Sequence, residues 1–337
     1  MKLRLAIPSA VAGLALLSAV ALPASASQAP PKPANFPNRP INLVVSYPAG
    51  GGMDITARTL AKELERVTGY QFRVQDRAGG GNIVGNTYVA RQAKPDGYTI
   101  GILANPSFFL DFLNRGAHFN KDDITPIAGI NFAPAMWVVR KDSPLGKLGF
   151  KGIIKKARKN PGSIKIGVIP KSSFDFVAHI IQNQKNVKFT IVPFQGGKPS
   201  VVALLGGNIN ISSNYYSEVE SYIKSGKFKP IAVANTKREK ELPDTPAMSE
   251  LGIDIAPNTW GAVRFAAVPK GTPKKIEKYL SYIIVKTLKQ KQTQKAFAKV
   301  GINVEALDMA QEQKAYDGSY KAIKGYLKQA GLLKMSQ

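Results

Sequence analysis

The stretch Ile41-Asn42-Leu43-Val44-Val45-Ser46-Tyr47-Pro48-Ala49-Gly50-Gly51-Gly52-Met53-Asp54 decides how this chain folds. Its first five residues are mostly apolar, three of them β-branched (Ile41, Val44 and Val45), the composition of a buried strand. From Asp54 onward the period changes. Ile55, Leu60, Leu64 and Val67 fall on one helical face, and Gly69 ends the run. A strand therefore passes through a triple-glycine turn straight into a helix. Glycine lets the backbone turn tightly and leaves its N–H groups uncovered. The first turn of a helix offers unpaired N–H groups at the positive end of its dipole. A carboxylate or phosphate fits such a place. No Lys-Ser/Thr follows the glycines, so this is not a P-loop, and the spacing is wrong for a dinucleotide fingerprint. Asp54 reads as the N-cap of the helix rather than as a catalytic acid.

Outward from this turn the alternation continues. Phe72-Arg73-Val74 is a second strand, Gly79-Gly80-Gly81-Asn82 opens another helix, and Tyr98 to Leu103 is a third strand. Later, Ile164 to Val168, Phe189 to Val192, Ile209 to Ser212 and Ile231 to Ala234 read as strands with helical patterns between them. Strands alternating with helices predict mainly parallel sheets flanked by helices. Two such α/β units are present. Met136 to Arg140 and Gly261 to Val268 are placed to cross between them, and a two-strand crossing predicts a hinge. The expected division is 36–140 with 261–337 as one lobe and 141–260 as the other.

The N-terminus bounds the compartment. Lys2 and Arg4 precede an apolar stretch from Leu5 to Leu22, and Ala24-Ser25-Ala26 supplies small residues for cleavage. Residues 1–26 therefore read as a secretory signal peptide, with a membrane anchor as the alternative. Residues 27–35 are Pro-rich and read as a disordered leader. The chain has no cysteine, which excludes disulfides, thiolate metal sites and a lipid-anchored cysteine. Formal charge is +25, or 45 − 22 = +23 once Lys2 and Arg4 are removed. The lysines are scattered over helix faces and turns, and no zinc-finger, RNA-recognition or basic-zipper pattern accompanies them. A solvated basic surface is the expectation, with no nucleic-acid partner.

Other loops after strands are candidate grips. Gly79 to Asn82 is either a second binding loop or a structural turn. Lys171, Ser172 and Ser173 follow a strand and precede a helix, so the serines either grip an anion or cap the helix. Phe194-Gln195-Gly196-Gly197-Lys198 and Ser212-Ser213-Asn214-Tyr215 hold the same topological position. Chemistry finds little support. His118 and His179 lack metal-ligand spacing, no Gly-x-Ser-x-Gly elbow occurs, and no carboxylate pair sits at matching strand ends. The expectation is a binding protein with no catalytic residue, no metal and no cofactor.

Several blocks in order carry a resemblance. They are Phe36-Pro37-Asn38-Arg39-Pro40-Ile41, Tyr47 to Arg58, Asp76 to Gly85, Pro95-Asp96-Gly97-Tyr98-Thr99, Asn160-Pro161-Gly162, Val192 to Gly196, Leu205-Gly206-Gly207, Leu242 to Pro246, Trp260-Gly261 and Pro269 to Pro273. Together they resemble the solute receptors of tripartite tricarboxylate transporters, the Bug receptors, over about Phe36 to Leu333. The resemblance implies a type II-like, two-lobed periplasmic binding protein, a Venus flytrap that closes on a small organic carboxylate: a di- or tricarboxylate, an aromatic acid or an acidic amino acid. It implies membrane transporter subunits as partners and a monomeric receptor. Carried over residue by residue, the ligand loop is Tyr47, Pro48, Ala49, Gly50, Gly51, Gly52 and on to Asp54. The second lobe's loop falls on Lys171 to Asp175, and further walls on Asn105, Gln195, Gly196, Ser213 and Asn214. Phe176 stands where the family usually has His, and Phe194-Gln195-Gly196 where it has Tyr-Lys-Gly. A sensor domain for a carboxylate, and less favourably a periplasmic enzyme, are the competing functions.

Overall fold

The computed structural model describes residues 29–194 and 196–334. The signal-peptide reading of 1–26 and the placement of Gln195 lie outside them. Residues 29–35 form no helix or strand, and the Lys32 ammonium stands 5.0 Å from the Tyr70 ring.

The first sheet opens with β1 (Ile41–Val45), which runs through the glycine turn into α1 (Gly52–Thr68). Then come β2 (Phe72–Asp76), α2 (Ile83–Thr87), β3 (Thr99–Asn105), α3 (Ser107–Leu113) and the long β4 (Ile124–Pro134). Gly69 closes α1 in the left-handed conformation with φ 73°, donating back to Glu65 O, the stop that its sequence position predicts. The second sheet is built from β5 (Met136–Arg140), α4 (Phe150–Lys159), β6 (Lys165–Val168), α5 (Ser173–Lys185), β7 (Thr190–Pro193), α6 (Gly197–Leu205), β8 (Ile211–Asn214), α7 (Tyr216–Lys224) and β9 (Phe228–Val233). The chain returns through β10 (Gly261–Pro269) and finishes in α8 (Lys274–Leu288), α9 (Lys291–Ala298) and α10 (Met309–Gln329).

The two sheets share one plan. Their orders are β2-β1-β3-β10-β4 and β7-β6-β8-β5-β9. In each, four strands run one way and a single strand runs against them: β10 between β3 and β4, β5 between β8 and β9. That odd strand is the one next to a crossing. The chain leaves β4 and enters β5 with only Ala135 between them. The sequence expectation kept Met136–Arg140 in the first lobe; pairing with β8 and β9 places the strand in the second sheet instead. A short apolar β run carries no mark of which sheet will hydrogen-bond it, so only pairing decides. Ala135 ties the crossings together. Its N–H donates to Trp260 O at 2.9 Å, and its carbonyl accepts from Ala234 N at 2.7 Å.

Apolar side chains fill both faces of the first sheet. One face packs under α1, α8 and α9 around Leu60, Leu64, Leu280, Ile284 and Phe297. The other packs an aromatic layer of Phe108, Phe109, Phe265 and Tyr316 beneath α10. Phe176, Trp260 and Tyr326 pack edge to face at 5.4–5.9 Å where α10 meets α5 of the second unit. The departure from the family at Phe176 thus falls in apolar packing.

α10 carries one unpaired burden. Glu312 is 1% exposed, and neither carboxylate oxygen has a hydrogen-bond partner. It packs against β4 at Gly129, where any side chain would strike it. Burial, with a smaller push from Glu305, raises its pKa from the ordinary 4.5 to about 8. The folded chain therefore binds more protons than the unfolded chain across that interval, and stability falls as pH rises through it. Glu312→Gln, a neutral isostere, is expected to match wild type below pH 4.5 and to exceed it by a few kcal/mol at pH 8 and above. Denaturant midpoints of both proteins across pH check this.

Candidate ligand-binding cleft

A cavity of about 740 Å³ opens between the two sheets, at the ends of their parallel strands. Tyr47 to Met53, Asn82, Ala104 to Ser107, Arg115, Ala262 and Arg264 line it from the first lobe. Ile169 to Ser173, Tyr215, Ser217 and Glu218 line it from the second. Of the residues expected from sequence, Tyr47, Pro48, Ala49, Gly50, Gly51, Gly52, Asn105, Lys171, Ser172 and Ser173 meet here.

The glycine turn is held from behind. Gly50 has φ 77°, which a side chain would strain, and its N–H donates to Asp54 Oδ2 at 2.8 Å. Gly51 is the N-cap, so Asp54 does not cap the helix as its position suggested. Asp54 sits in the first turn, is 3% exposed and does not line the cavity. Its other oxygen pairs with Arg58 at 2.6 Å. Burial alone would raise this carboxyl; the Gly50 N–H and Arg58 outweigh it and hold Asp54 below its usual value. The Gly51 N–H points to Pro48 O at 3.4 Å. Two of the turn's amides are thus engaged internally, while no side chain caps the helix that begins at Gly52. The N–H groups of Gly52 and Met53 remain at the cavity wall, as the first turn of a helix requires.

The second lobe repeats the device. Lys171 adopts φ 56°, its N–H donates to Asp175 Oδ2 at 3.0 Å, and Asp175 pairs with His179 at 3.2 Å. Burial opposes ionisation of Asp175, but His179 and the Lys171 N–H keep its pKa low; in return Asp175 raises that of His179. Gly50–Asp54–Arg58 and Lys171–Asp175–His179 are the same i, i+4, i+8 latch in both lobes. Ser172 is the N-cap of α5, accepting from Phe174 N at 3.2 Å. Ser173 Oγ donates to Gly261 O at 3.0 Å and straps the lobes together.

Ser213 and Asn214 lie in β8 behind the wall. Asn214 Nδ2 donates to Glu218 Oε2 at 3.3 Å, so it supports the lining rather than forming it. Gly196 precedes α6 and does not reach the cavity. Gly79 to Gly81 are left-handed or otherwise glycine-only, and of that loop only Asn82 lines the cleft. Arg115 pins it, donating to Gly81 O at 2.9 Å and Asn82 Oδ1 at 3.2 Å while pairing with buried Asp111 at 2.9 Å. Burial drives Asp111 up to about 6 despite Asn86 and Arg115. Asn82 Nδ2 in turn donates to Tyr47 OH at 3.3 Å, and Tyr47 OH shares a 2.6 Å hydrogen bond with Ser107 Oγ.

Three lining charges escaped the sequence reading: Arg115, Arg264 and Glu218. Arg264 projects from β10, donating Nη1 to Asn131 Oδ1 at 3.0 Å, while its buried Nε has no partner. A Cβ on Gly52 would lie 3.4 Å from Arg264 Nη2, so the guanidinium stands over the start of α1. No carboxylate among the described residues forms an ion pair with it. Burial lowers its pKa, and Tyr215, Tyr47 and Glu218 only partly compensate. The signal was present as a lone arginine inside the apolar run Gly261-Ala262-Val263-Arg264-Phe265-Ala266. Glu218, in the first turn of α7, accepts from Tyr215 N at 2.9 Å. Asn105 adds an amide 1% exposed with both polar atoms unpartnered.

Residues 56–332 match the family described as Tripartite tricarboxylate transporter family receptor. The chain belongs to that family. The receptor is 29% identical to Protein BugT of Bordetella pertussis over 298 residues, 87% of either chain. It superposes on a TctC solute binding protein from Polaromonas with TM-score 0.76 at 27% identity, covering 87% of this chain and 99% of that one. MatC from Rhodopseudomonas palustris, solved with bound malate, shares the fold at TM-score 0.68 and 21% identity, covering 87% of this chain and all of that one. These relatives are solute-binding proteins rather than enzymes, and the receptor has their two-lobed α/β fold.

A cation set against the positive end of a helix, with no counter-ion, costs the ligand-free receptor stability. Arg264→Gln is therefore expected to melt within about 2 °C of wild type or above it when no ligand is present, despite losing the contact to Asn131. A scanning-calorimetry drop of more than about 5 °C would assign the guanidinium a structural role.

Proposed function

We propose that this chain is a periplasmic solute receptor. It captures a small organic carboxylate in the cleft and presents it to the membrane subunits of a tripartite tricarboxylate-type transporter. The observation that carries this reading is the unneutralised Arg264 guanidinium beside the free amides of α1, inside a cavity sized for a small acid. Charge-assisted hydrogen bonds from aligned donors in a partly desolvated cleft are the strong kind, each worth about 1.5–3 kcal/mol. Tyr47 and Asn105 supply neutral polar contacts beside that grip, and Lys171, Ser172 and Ser173 face it from the other lobe. MatC's malate supports the class of ligand. Membership of the family supports the membrane partners, and residues 1–26 read as the signal for export. No helix among the described residues is long and apolar enough to cross a membrane.

Binding needs no chemical step. The acid's carboxylate meets Gly52 N–H, Met53 N–H and Arg264, and the second lobe reads the remainder as the two halves close about Ala135 and Trp260. A thermal-shift screen of the mature receptor against organic acids tests this, since a ligand at a hundred times its Kd stabilises the fold by about 2.7 kcal/mol. At least one carboxylate is expected to raise the melting point by several degrees. Gly52→Val, which puts a branched side chain against Arg264 Nη2, is expected to abolish that rise while leaving the ligand-free melting point intact.

A further inference from the structure

We infer that the cleft selects a zwitterion: a small molecule with one carboxylate, taken by Arg264 and the α1 amides, and one protonated amine, taken by Glu218. This rests on the reading of the cavity as a carboxylate receptor site and goes on to name the ligand's other end.

The lining holds four acidic or basic side chains, and burial raises the pKa of the one acid, Glu218, against the pull of the Tyr215 N–H, Asn214 and Arg264. Arg115 is already neutralised by Asp111 at 2.9 Å. Lys171 is exposed to solvent, with a left-handed backbone that turns the chain. Arg264 and Glu218 remain. Each is sunk in the cleft, neither belongs to any ion pair among the described residues, and each lies within the other's field. They come from opposite lobes, Arg264 from β10 and Glu218 from α7. Two opposite charges that share one cavity without pairing leave a gap for something that carries both signs.

Glu218 is held for this position. Its Oε2 takes the Tyr215 N–H at 2.9 Å and the Asn214 amide at 3.3 Å. A side chain at Gly197 would collide with its carboxylate, and glycine stands there. Capping α7 explains an acceptor at residue 218 but not a charge, because a glutamine carbonyl caps as well. A dicarboxylate would satisfy Arg264 and bring its second carboxylate toward Glu218, where like charges repel in a poorly solvated space. An ammonium group does the reverse.

The test is calorimetry on the purified mature receptor with pairs that differ only in one end: β-alanine and succinate, 4-aminobutyrate and glutarate, 6-aminohexanoate and pimelate. Wild type is expected to bind at least one amino acid roughly tenfold tighter than its matched diacid. Glu218→Gln, which keeps the acceptor for Tyr215 N–H, is expected to melt as wild type does and to cut that preference by roughly tenfold. Diacids bound more tightly at every length, or a preference unchanged in Glu218→Gln, would overturn the inference and leave the carboxylate receptor standing. If neither series binds wild type, the zwitterion inference is overturned, and the carboxylate reading stands or falls separately on the organic-acid thermal-shift screen.

Discussion

The cleft is organised by a positive charge placed where stability alone would not put one. Helix α1 begins without a side-chain cap, so its first amides face the cavity. Arg264 then lies over that start, with its Nε buried and unpartnered. Dipole and guanidinium have the same sign; Asp54 in the first turn is taken up by Gly50 and Arg58, and no carboxylate among the described residues forms an ion pair with Arg264. Proteins avoid such an arrangement unless something negative completes it. The fold serves this placement. β1 delivers the glycine turn, and β10 returns from the second lobe to slot between β3 and β4, which aims residue 264 at the turn.

The two lobes solve the same local problem with the same spacing. In each, an aspartate in the first helical turn reaches back four residues to a left-handed N–H and forward four residues to a basic side chain. The latch fixes the loop without occupying the cavity. It explains why Asp54 and Asp175, both on the expected list of ligand contacts, face away from the ligand's space. They position the donors rather than donate. Lys171 takes in one lobe the backbone shape that Gly50 takes in the other, a costlier choice for a residue with a side chain.

Much of this was legible in the sequence because periodicity and glycine placement are local signals. The strand–turn–helix at 41–69 and the alternation of both units follow from them. What the sequence hid is non-local. The strand Met136–Arg140 reads the same whichever sheet pairs with it, so its membership in the second sheet emerges only from β8 and β9. The antiparallel insertion of one strand per sheet is hidden for the same reason. Arg264 was visible as a misfit in an apolar strand, yet a lone charge there is equally a snorkelling edge residue until its neighbours are known. Glu218 looked like an ordinary first-turn acid, and it is one; its second role depends on Gly197 and on the lobe opposite. Ser213 and Asn214, expected in the loop after the strand, belong to the strand itself and lie one layer behind the wall.

In the proposed function, the ligand's negative charge completes an incomplete positive site at α1 and Arg264. A crystal structure of the mature receptor with its captured acid measures this directly. The expected result is a carboxylate whose oxygens lie about 3 Å from the Gly52 and Met53 nitrogens and from the Arg264 guanidinium. A ligand bound elsewhere in the cleft, with Arg264 turned to Glu218 and the α1 amides facing only water, would contradict it.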